Sequence, residues 1–85
     1  MESSTQIHII YTEAEMLLSR RFFASWREIQ DAYETYKASL GPWSADEVVE
    51  YLEDEYRDLS PAARVQMGSF LASGAETHVL TFHRA

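Results

Sequence analysis

Three kinds of residue in this chain could carry chemistry: its histidines, a dense group of carboxylates, and arginines set among aromatics. The histidines are His8, His78 and His83. On an extended segment His78 and His83 point to opposite faces, because their separation is odd, so they do not chelate one ion together. His8 and His78 would face each other if the first and last segments of the chain pair. Two imidazoles with no nearby carboxylate make a poor metal site, and the chain has no Cys to complete one. Neither a metal nor a cofactor is expected, and the histidines read as ordinary edge residues.

Catalytic constellations are equally hard to find. Gly41, Gly68 and Gly74 stand alone, so there is no glycine-rich loop to cradle a phosphate. No histidine accompanies a Ser or Cys in a nucleophile motif. Arg20, Arg21 and Arg27 alternate with Phe22, Phe23 and Trp26, a composition that can bind single-stranded nucleic acid. In a chain of net charge −7 the simpler reading is that these arginines pair with Glu28, Asp31 or the acidic segment while the aromatics enter the core. The expectation is a protein that is not an enzyme.

The carboxylates carry more information. Between Ser44 and Ser60 stand Asp46, Glu47, Glu50, Glu53, Asp54, Glu55 and Asp58 against the single Arg57, a balance of −6, while the rest of the chain is −1. At about 100° per residue Val48, Val49, Leu52, Tyr56 and Leu59 share one arc of a helix, and all the acids except Glu55 share the opposite arc. Acids in a first helical turn complement the helix dipole, which accounts for Asp46 and Glu47. Glu50, Glu53, Asp54 and Asp58 repel one another at spacings of three and four and have no lysine partners. Tyr51 falls at the edge of this face and Trp43 just before its start. The expected contact set is therefore Trp43, Asp46, Glu47, Glu50, Tyr51, Glu53, Asp54, Arg57 and Asp58. A helix from Asp46 to Asp58 rises about 18 Å. Duplex of that length carries roughly ten phosphates, so a basic nucleic-acid groove or a basic peptide would accept the face as a partial substitute.

Several elements must position these residues. Residues 5–11 alternate as a strand, with Ile7, Ile9 and Tyr11 on one face and His8 and Ile10 on the other; residues 77–83 alternate likewise. Pairing of these first and last segments is expected to close the sheet. Thr12 with Glu15, Ser25 with Glu28, and Ser44 with Glu47 fit the capping box, and Ser60-Pro61 is a further helix start. Gly41-Pro42 and Gly74 read as stops. Phe22, Trp26, Ile29, Tyr33, Tyr36 and Leu40 recur at three and four, which predicts one helical stripe. Residues 13–23 read as helix, with a second strand in a hairpin as the alternative. A last helix over 60–73 carries Ala63, Met67, Phe70 and Leu71. Phe22, Trp26, Ile29, Tyr33, Val48, Leu52, Met67, Phe70 and Leu71 are the expected core. The predicted fold is α+β: three to four helices packed with a small antiparallel sheet of N- and C-terminal strands.

Length and composition bound the rest. The 85 residues suit one small acidic domain over 1–85, and 46% apolar residues suffice for a core. No apolar run approaches a membrane span, and the first residues lack the pattern of a secretory signal, so a cytoplasmic protein is expected. The acidic balance disfavours direct binding to nucleic acid or anionic lipid. Together these features predict a protein that binds a basic, nucleic-acid-binding surface of another protein and blocks it. Its size and charge compare with those of phage or mobile-element inhibitors of anti-CRISPR or antirestriction type, acting in the host cell, although no residue motif takes part in that comparison. The alternative is a structural or assembly module that oligomerises, or docks into a larger complex, through apolar contacts.

Overall fold

A computed structural model describes residues 6–82; Thr5 and His83, which the sequence reading places at the ends of its two strands, lie outside them. The elements run β1 (Ile7–Thr12), β2 (Met16–Ser19), α1 (Trp26–Ala32), β3 (Tyr36–Trp43), α2 (Ala45–Glu55), α3 (Ala63–Ser73) and β4 (Thr77–Val79). The strands form an antiparallel sheet in the order β3-β1-β2-β4. The fold is α+β as the sequence predicts, but the sheet is not built from terminal strands alone. β1 pairs with β2 and β3, β4 pairs with β2, and the first and last strands are not neighbours.

Residues 13–23 take the strand alternative rather than the helix. The Thr12–Glu15 signature closes a hairpin: the Thr12 amide donates to the Glu15 carbonyl at 2.9 Å, and Thr12 Oγ1 accepts from the Glu15 amide at 3.1 Å. The same hydroxyl that would cap a helix satisfies a tight turn here, because β1 is available as a partner for the apolar run that follows. The long stripe from Phe22 to Leu40 is also divided. Helix α1 stops at Ala32, and the Tyr-Lys-Ala-Ser-Leu run becomes β3 against β1. A register shift between Tyr11 and Thr12 sends Tyr36 to one face of the sheet and Leu40 to the other, which a continuous helical stripe would not do. A second shift, between Ile7 and Ile9, falls at Gly41. Gly41 is thus no helix stop. It sits at φ +108°, and a Cβ there would meet the Ile7 carbonyl oxygen at 2.7 Å, so this crossing requires glycine.

The alternation within β1 holds. Ile7, Ile9 and the half-buried Tyr11 join the larger core, where α2 and α3 supply Val48, Val49, Leu52, Ala63, Met67 and Phe70. Ile10 turns to the other face, where Leu17, Phe23 and Ile29 form a small second cluster under α1. Ile29, Val48, Leu52, Met67 and Phe70 are buried as expected, and Tyr33 is half-buried. Phe22, Trp26 and Leu71 are not: they are 83%, 55% and 38% exposed. Phe22 lies in the loop before α1, and Trp26 opens a helix of only 7 residues that reaches the sheet through Ile29. Helix α3 begins at Ala63, later than the Ser60-Pro61 signal, and ends on Gly74 at φ +77°, the left-handed cap expected there.

Candidate functional site

Helix α2 begins where the sequence places it. Ser44 Oγ accepts from the Glu47 amide at 3.2 Å, and Glu47 Oε1 accepts from the Ser44 amide at 2.9 Å, completing a capping box. Val48, Val49 and Leu52 enter the core, and Asp46, Glu47, Glu50, Glu53, Asp54 and Glu55 stand on the exposed side. The helix ends sooner than the sequence suggests, at Glu55, with the Tyr56 amide bonded to the Leu52 carbonyl at 2.9 Å. Arg57 and Asp58 are exposed beyond its end and leave the helical row. Leu59 leaves the helix too, and instead bridges Phe82.

Two shallow hollows flank a ridge made by Glu47 and Glu50. In one, of about 350 Å³, Trp43 and Tyr51 meet Glu47, Glu50 and Asp54. The other, of about 430 Å³, is lined by Asp46, Glu47, Glu50 and Glu53 together with Arg64. Arg64 Nη2 lies 3.9 Å from Glu53 Oε2, an exposed pair that neutralises little of the face. Arg57 lines a third hollow with Glu53, Tyr56 and Leu59.

Tyr51 is more than an edge residue. Its ring meets Trp43 edge-on at 5.3 Å, Tyr56 lies 6.3 Å further along, and Phe82 lies 6.1 Å beyond Tyr56. Tyr11 supports this row from β1: its hydroxyl is 3.2 Å from those of both Tyr51 and Tyr56. Burial, reinforced by those two hydroxyls, pushes the Tyr11 phenol well above its ordinary pKa, so it stays a neutral hydrogen-bonding post. The aromatic wall beside the carboxylates is therefore held from beneath, and a rigid wall loses little entropy on binding.

Sequence reasoning missed three polar side chains that hold α3 and the end of the chain in the surrounding fold. Gln66 is buried, donates from Nε2 to the Pro61 carbonyl at 2.7 Å and the Thr81 carbonyl at 2.9 Å, and accepts at Oε1 from the Thr81 amide at 3.0 Å. His78 Nε2 lies 3.1 Å from the same Oε1. Arg20, read as a surface partner for acids, instead closes the end of α3, donating to the carbonyls of Ala75 at 2.7 Å and Phe70 at 3.2 Å. The periodicity of the chain does not mark these partners, since all but the Gln66–Pro61 bond join residues 12 to 55 apart in sequence.

The histidines do not converge. His8 lies on the α1 side of the sheet, edge-on to Phe23 at 5.4 Å, whereas His78 lies on the other side with Gln66 and Phe70. The expectation that they face each other fails because β2 stands between β1 and β4. Among the described residues no group of three His, Asp or Glu side chains is placed to hold a metal ion. No described helix is long and apolar enough to cross a membrane. No known protein family, characterised protein or solved structure matches this chain.

Proposed function

We propose that this protein is a non-enzymatic inhibitor that binds the basic, nucleic-acid-binding surface of another protein through the exposed side of α2. The observation that carries the reading is the hollow in which Trp43 and Tyr51 meet Glu47, Glu50 and Asp54. A guanidinium fits such a place on two counts: its edge pairs with carboxylates, and its face stacks on aromatic rings. The ridge and the second hollow extend the negative surface toward Asp46 and Glu53. From Asp46 to Asp54 the helical row rises about 12 Å, alongside roughly seven phosphates of a duplex. The mechanism is occupation: carboxylates engage the Arg and Lys that otherwise hold phosphates, and nucleic acid is excluded. A phage or mobile-element protein acting against a host nucleoprotein effector in the cytoplasm fits this size and charge.

The test is partner affinity for the parent and for Glu50→Lys/Asp54→Lys/Asp58→Lys at low and high salt. All three side chains are exposed, so folding should survive. Affinity and its salt sensitivity should fall together, with a milder loss for the Gln versions. An assembly module held by apolar contacts would leave the reversal silent and would not weaken in salt.

A further inference from the structure

The α1 side of the sheet is built differently from the α2 side. Its apolar cluster consists of Ile10, Leu17, Phe23 and Ile29, capped by a helix of 7 residues, whereas the opposite core is fed by two helices of 11. Large apolar side chains are left in water on this thin side: Phe22 at 83% exposure and Trp26 at 55%, with Val79 on the same face as its register partner Leu17. Around them the charges alternate. Arg21 stacks over Phe23 at 5.0 Å and Arg27 over Trp26 at 5.4 Å, while Arg21, Glu28 and Asp31 line one hollow. Among the described residues neither Arg21 nor Arg27 forms an ion pair.

We infer that this side of the molecule is a self-association surface that takes a second copy of the chain in a two-fold dimer. A two-fold contact places the same patch on both sides, so the patch must complement itself. The Phe22–Trp26 region does: aromatic residues supply an apolar centre, and its arginines and carboxylates exchange partners across the axis. Tyr, Trp, Phe and Arg are the residues that interface centres favour. The α2 face fails the same requirement, because its uniform carboxylates repel their own image. A contact on the α1 side leaves both α2 faces turned outward. Two sheets and two helical layers then separate them, beyond the Debye length of roughly 10 Å at 0.1 M ionic strength. The inference does not depend on what α2 binds.

Sedimentation of the full chain from about 1 μM to about 1 mM tests it, a range that brackets a weak but specific dimer. The mass should rise from one copy, 9.8 kDa, to two and stop there. Phe22→Ser/Trp26→Ser should remain a single copy with an unchanged circular dichroism spectrum. Arg27→Glu, at an exposed position, should weaken the dimer about 10-fold and gives the answer should the double variant fold poorly. Glu50→Lys/Asp54→Lys should dimerise like the parent. A parent that stays a single copy throughout, growth beyond two copies, an undiminished dimer in Arg27→Glu, or loss of the dimer in the Glu50→Lys/Asp54→Lys variant would each overturn the proposal, the last by showing head-to-tail use of α2.

Discussion

At the scale of single residues, the fold rests on polar groups that periodicity does not reveal. Gln66 sits on α3 beside the buried arc of Ala63, Met67 and Phe70, where the helical period marks the position but not its partners: it bonds both the Pro61 and Thr81 carbonyls and the Thr81 amide. Gln66→Leu preserves the volume and strands these groups, so it should cost about 3 kcal/mol, read as a fall in the urea midpoint. Glu there, which keeps the acceptor but loses the donor, should be no better than Leu. His8 offers a second test. Burial lowers its pKa below the ordinary value of 6.5. The unfolded chain therefore binds the proton more readily, and this contribution to stability is complete above about pH 6.5 and lost as pH falls through the folded-state value. Urea midpoints at pH 7.5 and 5.5 should separate more for the parent than for His8→Phe. Equal separations would mean that the folded protein accommodates the charged imidazole.

At the scale of elements, legibility tracked how local the deciding interaction is. Helix α2 was readable because its capping box, the Val48, Val49 and Leu52 arc and the Asp46 to Asp54 acids lie within the 12 residues Ser44 to Glu55 and agree with one another, whereas Tyr56, Asp58 and Leu59, read onto the same arcs, lie past its end. The segment from Thr12 to Leu40 was not, because its local signals favour helix and its partner, β1, is chosen by long-range pairing. Trp26 shows the consequence. Sequence periodicity makes it a core residue whose truncation should be severe, whereas its exposure predicts that Trp26→Ala costs no more than about 1 kcal/mol. Ile29→Ala, three residues on and 2% exposed, should cost about 2–5 kcal/mol. Thermal melts at low protein concentration, where self-association does not contribute, distinguish the two. The candidate site was more legible than the fold around it. Of its residues Trp43, Asp46, Glu47, Glu50, Tyr51, Glu53 and Asp54 gather about two adjoining hollows, and only Arg57 and Asp58 fall past the end of the helix. What remained hidden was the support beneath Tyr51, since Tyr11 lies 40 residues away.

At the scale of the whole molecule, a sheet separates two surfaces of different character. One carries carboxylates beside an aromatic wall; the other carries exposed aromatics among mixed charges. The proposed division of labour is that the first engages a basic partner while the second holds two copies together. A dimer would then present two acidic faces, and a target with two basic sites within reach would be held by avidity rather than by stronger individual contacts. Phe22→Ser/Trp26→Ser should therefore leave the affinity for a single site unchanged and lower only the apparent affinity for a paired one, as surface-immobilised and soluble formats of the same partner would reveal. The most direct measurement of the central claim is competition. With a captured partner in hand, its binding to labelled nucleic acid is titrated with the parent and with Glu50→Lys/Asp54→Lys/Asp58→Lys, at low and high salt. The account predicts that the parent displaces the nucleic acid, that salt weakens the displacement, and that the triple reversal abolishes it. Equal displacement by both proteins at both salt concentrations, or a parent that binds the partner without displacing nucleic acid, would contradict it.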